Sequence, residues 1–189
     1  MNLTLLFGVQ GSGKGTQAKL LQQKFGFKVF EPGAEFRRIS KEESDEGRQL
    51  KKIMKSGELV PNHMVKTLVL QFLINSGVNN IIFDGYPRNQ EQYETFQEII
   101  AEQNLEYRAI HLTLSKDEAI KRLIHRGTLE NRADDTPEGM ETRISIFNNE
   151  TVPIIQEMES ANKVISINAD NDIQSISTEI INKLGLKND

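Results

Sequence analysis

The chain has 189 residues, enough for one well-packed core with small inserted pieces, and its 37% hydrophobic and 26% charged side chains, with both signs interspersed, exclude a disordered polymer. No run approaches the roughly 20 apolar residues of a membrane span, and the absence of cysteine excludes disulfides and cysteine-based zinc or redox sites while permitting a reducing cytoplasm. The net charge of −4 argues against a broad nucleic-acid surface, so any anion site has to be focal.

The apolar N-terminal run lacks a basic leader and a cleavage site and passes straight into glycines, so it predicts a buried first strand over Asn2–Gly8. Ala18, Leu20, Leu21 and Phe25 then mark a helix, and Lys28–Phe30 a second strand. Residues 31–60 are charged and helical with no strand pattern, which makes them a small helical insertion. Further strands are expected over Asn80–Asp84, Tyr107–Leu114 and Lys163–Ile167. The polar stretch 127–136 reads as a loop. From Thr136 to Met158 the residues Ile144, Phe147, Ile154 and Met158 fall at spacings of three, seven and four, a buried helix face that Pro153 is expected to kink. A last helix runs from Asp172 to Leu184 with Gly185 as its C-cap. Strand and helix in steady alternation imply a parallel sheet covered on both faces.

The strongest local signal is Gly8-Val9-Gln10-Gly11-Ser12-Gly13-Lys14-Gly15-Thr16-Gln17 at the first strand-to-helix junction. Glycines let successive N–H groups turn inward onto phosphate oxygens, the helix N-terminus adds its positive end, and Lys14 supplies a point charge. The competing reading is a merely tight turn. Gly15 follows Lys14 where a general P-loop has the Ser or Thr that binds magnesium, so Thr16 is assigned to a phosphate oxygen instead. Thr16 also breaks the dinucleotide fingerprint.

This loop resembles that of the adenylate kinase family, and the resemblance continues nearly end to end. Asp84-Gly85-Tyr86-Pro87-Arg88 with Gln92 is similar to the family segment in which the arginine holds the AMP phosphate and the glutamine meets adenine. Arg37 matches a second AMP-phosphate arginine, and Glu58, Leu59 and Val60 the segment lining the adenine pocket. Arg122 and Arg126 resemble the pair before the lid, Arg132-Ala133-Asp134-Asp135 the lid motif, Arg143 the arginine of the following helix, and Thr151-Val152-Pro153 the family's Thr-x-Pro.

The resemblance implies a P-loop α/β three-layer fold with a five-stranded parallel sheet. Its core would comprise 1–30, 61–126 and 137–189, its NMP-binding insertion 31–60, and its short lid 127–136 without zinc. It implies reversible phosphoryl transfer from ATP to AMP. Lys14, Arg88, Arg126, Arg132 and Arg143 would be catalytic. ATP would lie on Gly11, Ser12, Gly13, Lys14, Gly15, Thr16, Arg122, Arg126, Asn168 and Ala169. AMP would lie on Pro32, Arg37, Glu58, Leu59, Val60, Gly85, Tyr86, Pro87, Arg88, Gln92, Arg132 and Arg143. Magnesium would accompany ATP, with Asp84 reaching it through water. The expected partners are small molecules only, with no nucleic acid and no membrane, in a monomeric cytoplasmic enzyme.

Departures from the pattern leave the acceptor open. Glu31-Pro32-Gly33-Ala34 stands where the family has Ser-Thr-Gly-Asp, losing the adenine-contacting threonine and an aspartate expected to cap the next helix. Relatives acting on UMP and CMP carry Asn after the Pro-Arg pair, and Asn89 stands there; Gln92 argues for adenine. UMP/CMP kinase is therefore an alternative, and so is a catalytically weakened nucleotide-binding regulator.

Overall fold

Alternation along the first strand decides the architecture. Leu3, Leu5 and Phe7 enter one core and Leu6 another, so both faces of the strand are buried and both must be covered. In the computed structural model, which describes residues 2–77, 80–115, 117–123 and 136–187, this strand is β1 (Asn2–Phe7) at the centre of a five-stranded, wholly parallel sheet. The others are β2 (Lys28–Phe30), β3 (Asn80–Asp84), β4 (Glu106–Thr113) and β5 (Val164–Asn168), in the order β2-β3-β1-β4-β5. In β3, Ile81, Ile82 and Phe83 are fully buried, as an inner strand of a doubly covered sheet requires.

Helices α1 (Lys14–Phe25) and α9 (Ile173–Leu184) cover one face through Ala18, Leu21, Ile176, Ile180 and Ile181. The other face packs on α4 (Asn62–Ser76), α5 (Gln90–Glu102) and α8 (Val152–Ser160) through Val65, Val69, Phe96, Ile99, Ile154 and Met158. The described residues 117–123 are helical and belong to α6. An aromatic cluster of Phe30, Phe83, Tyr86, Phe96 and Tyr107, with edge-on pairs at 5.2–6.3 Å, fills this second core directly beneath the Asp-Gly-Tyr-Pro-Arg loop. The expected three-layer fold is the one observed.

Between β2 and α4 the chain forms α2 (Pro32–Ile39) and α3 (Asp45–Ser56), with no strand. Phe36 and Leu50 nevertheless bury into the same core as the sheet, so this piece is anchored to the body. Helix α2 starts at Pro32, which needs no N–H partner in a first turn. Ala34 therefore lies inside the helix, and the cap expected at that position has no helix start to serve.

The long helix expected over 136–158 is divided. Helix α7 (Pro137–Ile146) begins at Thr136, whose hydroxyl accepts from Gly139 N–H at 3.1 Å, and gives way to a π turn over Phe147–Thr151 before α8. Val152 N–H reaches back five residues to Phe147 C=O. Pro153 then follows the π turn directly, in the first turn of α8. The backbone stays right-handed helical at Ile146, Phe147, Thr151 and Val152, so a π turn inside the helical run, not an interruption of it, meets the proline.

Strand ends shift by a residue. Strand β1 stops at Phe7 because Gly8 turns to φ +149. Strand β4 runs one residue earlier than expected, and β5 one residue later.

Candidate active site

The C-terminal ends of β1, β2 and β3 open into a cavity of about 700 Å³ that reaches from the glycine loop to the Pro87-Arg88 segment and α7. Ligands of open parallel sheets bind at this end of the strands. Seven cationic side chains line it among the described residues (Lys14, Lys19, Arg37, Arg88, Lys121, Arg122 and Arg143) against four acids, Glu31, Glu58, Asp84 and Glu118. In a chain of net charge −4, this excess of positive charge is local and marks an anion site.

At the β1–α1 end the loop geometry depends on glycine. A Cβ on Gly8 would come within 2.5 Å of Ser12 Oγ and 2.7 Å of Leu112 C=O, and Gly13 ends the loop at φ +91. Gly13 brings no side-chain cap and the first turn of α1 holds no acid, so the helix presents its positive end to the cavity. Lys14 Nζ folds back over the loop to donate to Gly8 C=O at 2.8 Å and Val9 C=O at 3.2 Å. Gly11, Gly13, Gly15 and Thr16 line the cavity with it.

Ser12 does not. Its N–H closes the turn onto Val9 C=O at 3.1 Å, and its side chain is buried beneath the loop, where it meets Gly8.

Asp84 ends β3 next to this loop, so close that a Cβ on Gly15 would sit 3.6 Å from its Oδ2. Burial pushes its carboxyl above the usual carboxylate range; Lys14, Arg88 and Arg37 pull it back, while the like charge of Glu31 adds to the rise.

At the opposite end, Arg88 is held on three sides. Its Nε donates to Gly85 C=O at 2.7 Å, its backbone N–H to Gln92 Oε1 at 2.9 Å, and its C=O accepts from Thr151 Oγ1 at 2.7 Å. Burial lowers the pKa of its guanidinium, and Asp84 opposes that shift. Arginine titrates so high that it stays charged. With its oxygen taken by Arg88, the Gln92 carboxamide retains its NH2 group as donor.

Arg143, on α7, donates from Nη2 to Met54 C=O at 3.0 Å, which brings that guanidinium to the end of α3. Arg37 pairs with Glu31, its Nη2 at 2.5 Å from Oε1. Pro32, Glu58, Leu59, Val60, Gly85, Tyr86 and Pro87 complete this half of the wall. Arg122 also lines the cavity, its Nε 3.0 Å from Glu118 Oε1 one turn earlier on α6.

Three further expectations fare differently. Asn168 and Ala169, expected to offer a backbone carbonyl to the adenine of ATP, are not among the residues that line this cavity; Ala169 donates its N–H to Thr113 C=O at 2.8 Å and the Asn168 side chain accepts from Asp170 N–H at 2.9 Å, neither bond involving that carbonyl. Arg126 and Arg132, and with them the loop 127–135, lie outside the described residues. Asn89 is the N-cap of α5, accepting from Gln92 N–H at 2.9 Å. Capping accounts for an asparagine after the Pro-Arg pair, and Asn89 is not among the residues that line the cavity, whereas Gln92 is.

Sequence reasoning assigned no partner to Glu31 and no contact to Thr151, and it did not include Phe147 in the wall. The Thr-x-Pro spacing pointed to Thr151. The π turn that aims its hydroxyl at Arg88 leaves no periodic trace.

A profile of the adenylate kinase family matches residues 6–163. The chain is similar to an adenylate kinase of Prochlorococcus marinus, 36% identical over 181 residues that cover 95% of this chain and 97% of that one. It is similar as well to an adenylate kinase of Bifidobacterium longum, 33% identical over 95% of this chain and 98% of the relative. An adenylate kinase isoenzyme 1 of Caenorhabditis elegans is 33% identical over 95% of this chain and 85% of its own length.

Proposed function

The chain belongs to the adenylate kinase family, and on that premise we propose how its residues carry out reversible phosphoryl transfer from ATP to AMP, giving two ADP. The observation that carries the assignment of roles is one continuous cavity with the glycine loop and Lys14 at one end and Arg37, Arg88 and Arg143 at the other. Two phosphate-binding ends facing a common space suit in-line transfer between two nucleotides.

An oxygen of the AMP phosphate attacks the γ-phosphorus of ATP; the bond from that phosphorus to the β,γ-bridging oxygen breaks, and ADP departs. The acceptor oxygen is already ionised, so no general base is needed. The protein's task is alignment and stabilisation of charge spread over the equatorial oxygens. The loop over Gly11–Gly15 and Thr16 hold the ATP phosphates. Lys14 leaves its two loop carbonyls for the β- and γ-phosphates, an exchange of weak neutral acceptors for anionic ones. Arg88 and Arg37 hold the AMP phosphate, and Arg143 bridges toward the transferred group with the planar fork that suits two oxygens at once. Arg122 lies against the ATP end. Arg126 and Arg132 are assigned to the transferring phosphoryl from their sequence context.

Among the described residues no group of three or more His, Asp or Glu side chains converges as a metal cage. A single buried carboxylate, Asp84, beside the loop and Thr16 is the donor set that suits Mg2+, which keeps most of its waters and binds substrate phosphates. Asp84 would hold that hydrated ion, whose chemistry when bound is to offset charge on ATP oxygens.

Adenine as acceptor base is supported by the Gln92 amide at the cavity wall, which Asn89, the residue that pointed to a pyrimidine, does not line. A non-catalytic regulator gains no support from a cavity in which the arginines converge. No helix among the described residues is long and apolar enough to cross a membrane; a monomer in the cytoplasm is the proposed state. Rates of ADP formation from ATP with AMP, UMP, CMP and GMP test the reading. The highest kcat/KM is expected with AMP, and a preference for UMP or CMP would overturn the acceptor assignment.

A further inference from the structure

Glu31 occupies the N-cap position of α2 yet makes no capping bond; its carboxylate reaches six residues ahead to Arg37 instead. Both side chains line the cavity, Arg37 at 26% and Glu31 at 40% exposure. The cation is thus the more enclosed partner, and the carboxylate has solvent to turn into. The charge of Glu31 also acts on Asp84 and Arg88.

We propose that Glu31 is an acceptor-gating residue: its carboxylate occupies the place on Arg37 that an incoming phosphate takes, so the acceptor binds by displacing an internal anion. The proposal rests on the assignment of Arg37 to the acceptor phosphate. Binding then becomes an exchange of one anion for another on the same guanidinium, and the displaced carboxylate has to rotate away because two anions cannot share that pocket edge without repulsion. A nucleotide has its base and ribose contacts to drive the exchange. Free inorganic phosphate has none, so Glu31 discriminates against it most.

The competing explanation is an ordinary helix-end ion pair that only steadies α2. The two differ in sign, since loss of a structural pair cannot improve binding. With the full chain, KM for AMP and the inhibition constant of inorganic phosphate against AMP are measured for the wild type, Glu31→Gln, Glu31→Asp, Arg37→Ala and the double variant. Melting curves check that each folds. In Glu31→Gln the KM for AMP is expected to fall about three- to tenfold, with a larger drop for phosphate, from the size of a partly exposed ion pair. Glu31→Asp, shorter but charged, should fall between wild type and Gln. In the Arg37→Ala background the effect of Glu31→Gln should shrink to less than about twofold on either constant, the remainder exerted through Arg88. If Arg37→Ala weakens AMP while Glu31→Gln leaves both constants unchanged or raised, the gating proposal is overturned. If Arg37→Ala itself leaves KM for AMP unchanged, the acceptor assignment of Arg37 fails, and the proposal fails with it.

Discussion

Replacing Thr151 by valine tests how the site holds its arginine. Thr151 is buried, at 4% exposure, and its hydroxyl donates to Arg88 C=O at 2.7 Å across 63 residues of sequence, tying the π turn to the loop after β3. Valine keeps the shape and removes the donor, leaving a carbonyl in a closed space without that partner. Such a loss costs about 1–3 kcal/mol. An unfolding entropy near 2 cal/mol/K per residue over 189 residues converts this into a fall in Tm of about 3–8 °C. Because the Arg88 segment keeps only the Gln92 and Gly85 ties, its guanidinium loses alignment, and KM for AMP should rise about three- to tenfold. Serine at this position retains the hydroxyl and should restore most of the kinetic loss. Differential scanning calorimetry and steady-state kinetics of the three proteins decide the matter. A valine variant within 1 °C and twofold of wild type by both, a difference of about 0.4 kcal/mol, would refute the tie.

Two further substitutions probe the rest of the cavity. Gly57 sits at φ +80, and a Cβ there would lie 2.3 Å from Gly139 C=O, so Gly57→Ala must push α3 away from α7 and loosen the Arg143–Met54 bond. A destabilisation of at least about 1–2 kcal/mol from the left-handed backbone alone is expected by urea titration, together with a raised KM for AMP; an unperturbed variant would deny the close seam. For Asp84 the folded carboxyl titrates above its unfolded value, so its contribution to stability is most favourable below the ordinary carboxylate range and declines as pH rises through the raised folded value. Asp84→Asn removes that decline. The ligand-free variant should be more stable than wild type at neutral pH, and the advantage should vanish in acid, while turnover falls; urea melts across pH would contradict this if the variant were the less stable at neutral pH.

How far the sequence carried the fold can be argued element by element. Strands such as Asn80–Asp84 were legible because a doubly covered sheet demands consecutive apolar residues, which no amphipathic helix shares. Helix α9 was bounded correctly because Asp172 caps it with two backbone bonds and Gly185 ends it in the left-handed conformation. The π turn at Phe147–Thr151 was not legible. It shifts the helix phase by one residue just ahead of a proline, and the proline announces a kink without announcing the extra residue before it.

The site shows the same division. Glycines and arginines advertise a phosphate cavity by type and order, whereas the internal bonds that decide which of them face it leave no composition signal. Ser12 closes the loop through its own N–H, Asn89 caps α5, and Glu31 meets Arg37 only because α2 carries that guanidinium back, six residues on, to the end of β2.

The most direct test of the central claim follows the label from [γ-32P]ATP incubated with equimolar AMP and Mg2+. Transfer within one cavity predicts that label appears in the β-position of the ADP formed from AMP, as fast as ATP is consumed and with little inorganic phosphate. Label released as inorganic phosphate, with AMP unchanged, would contradict it.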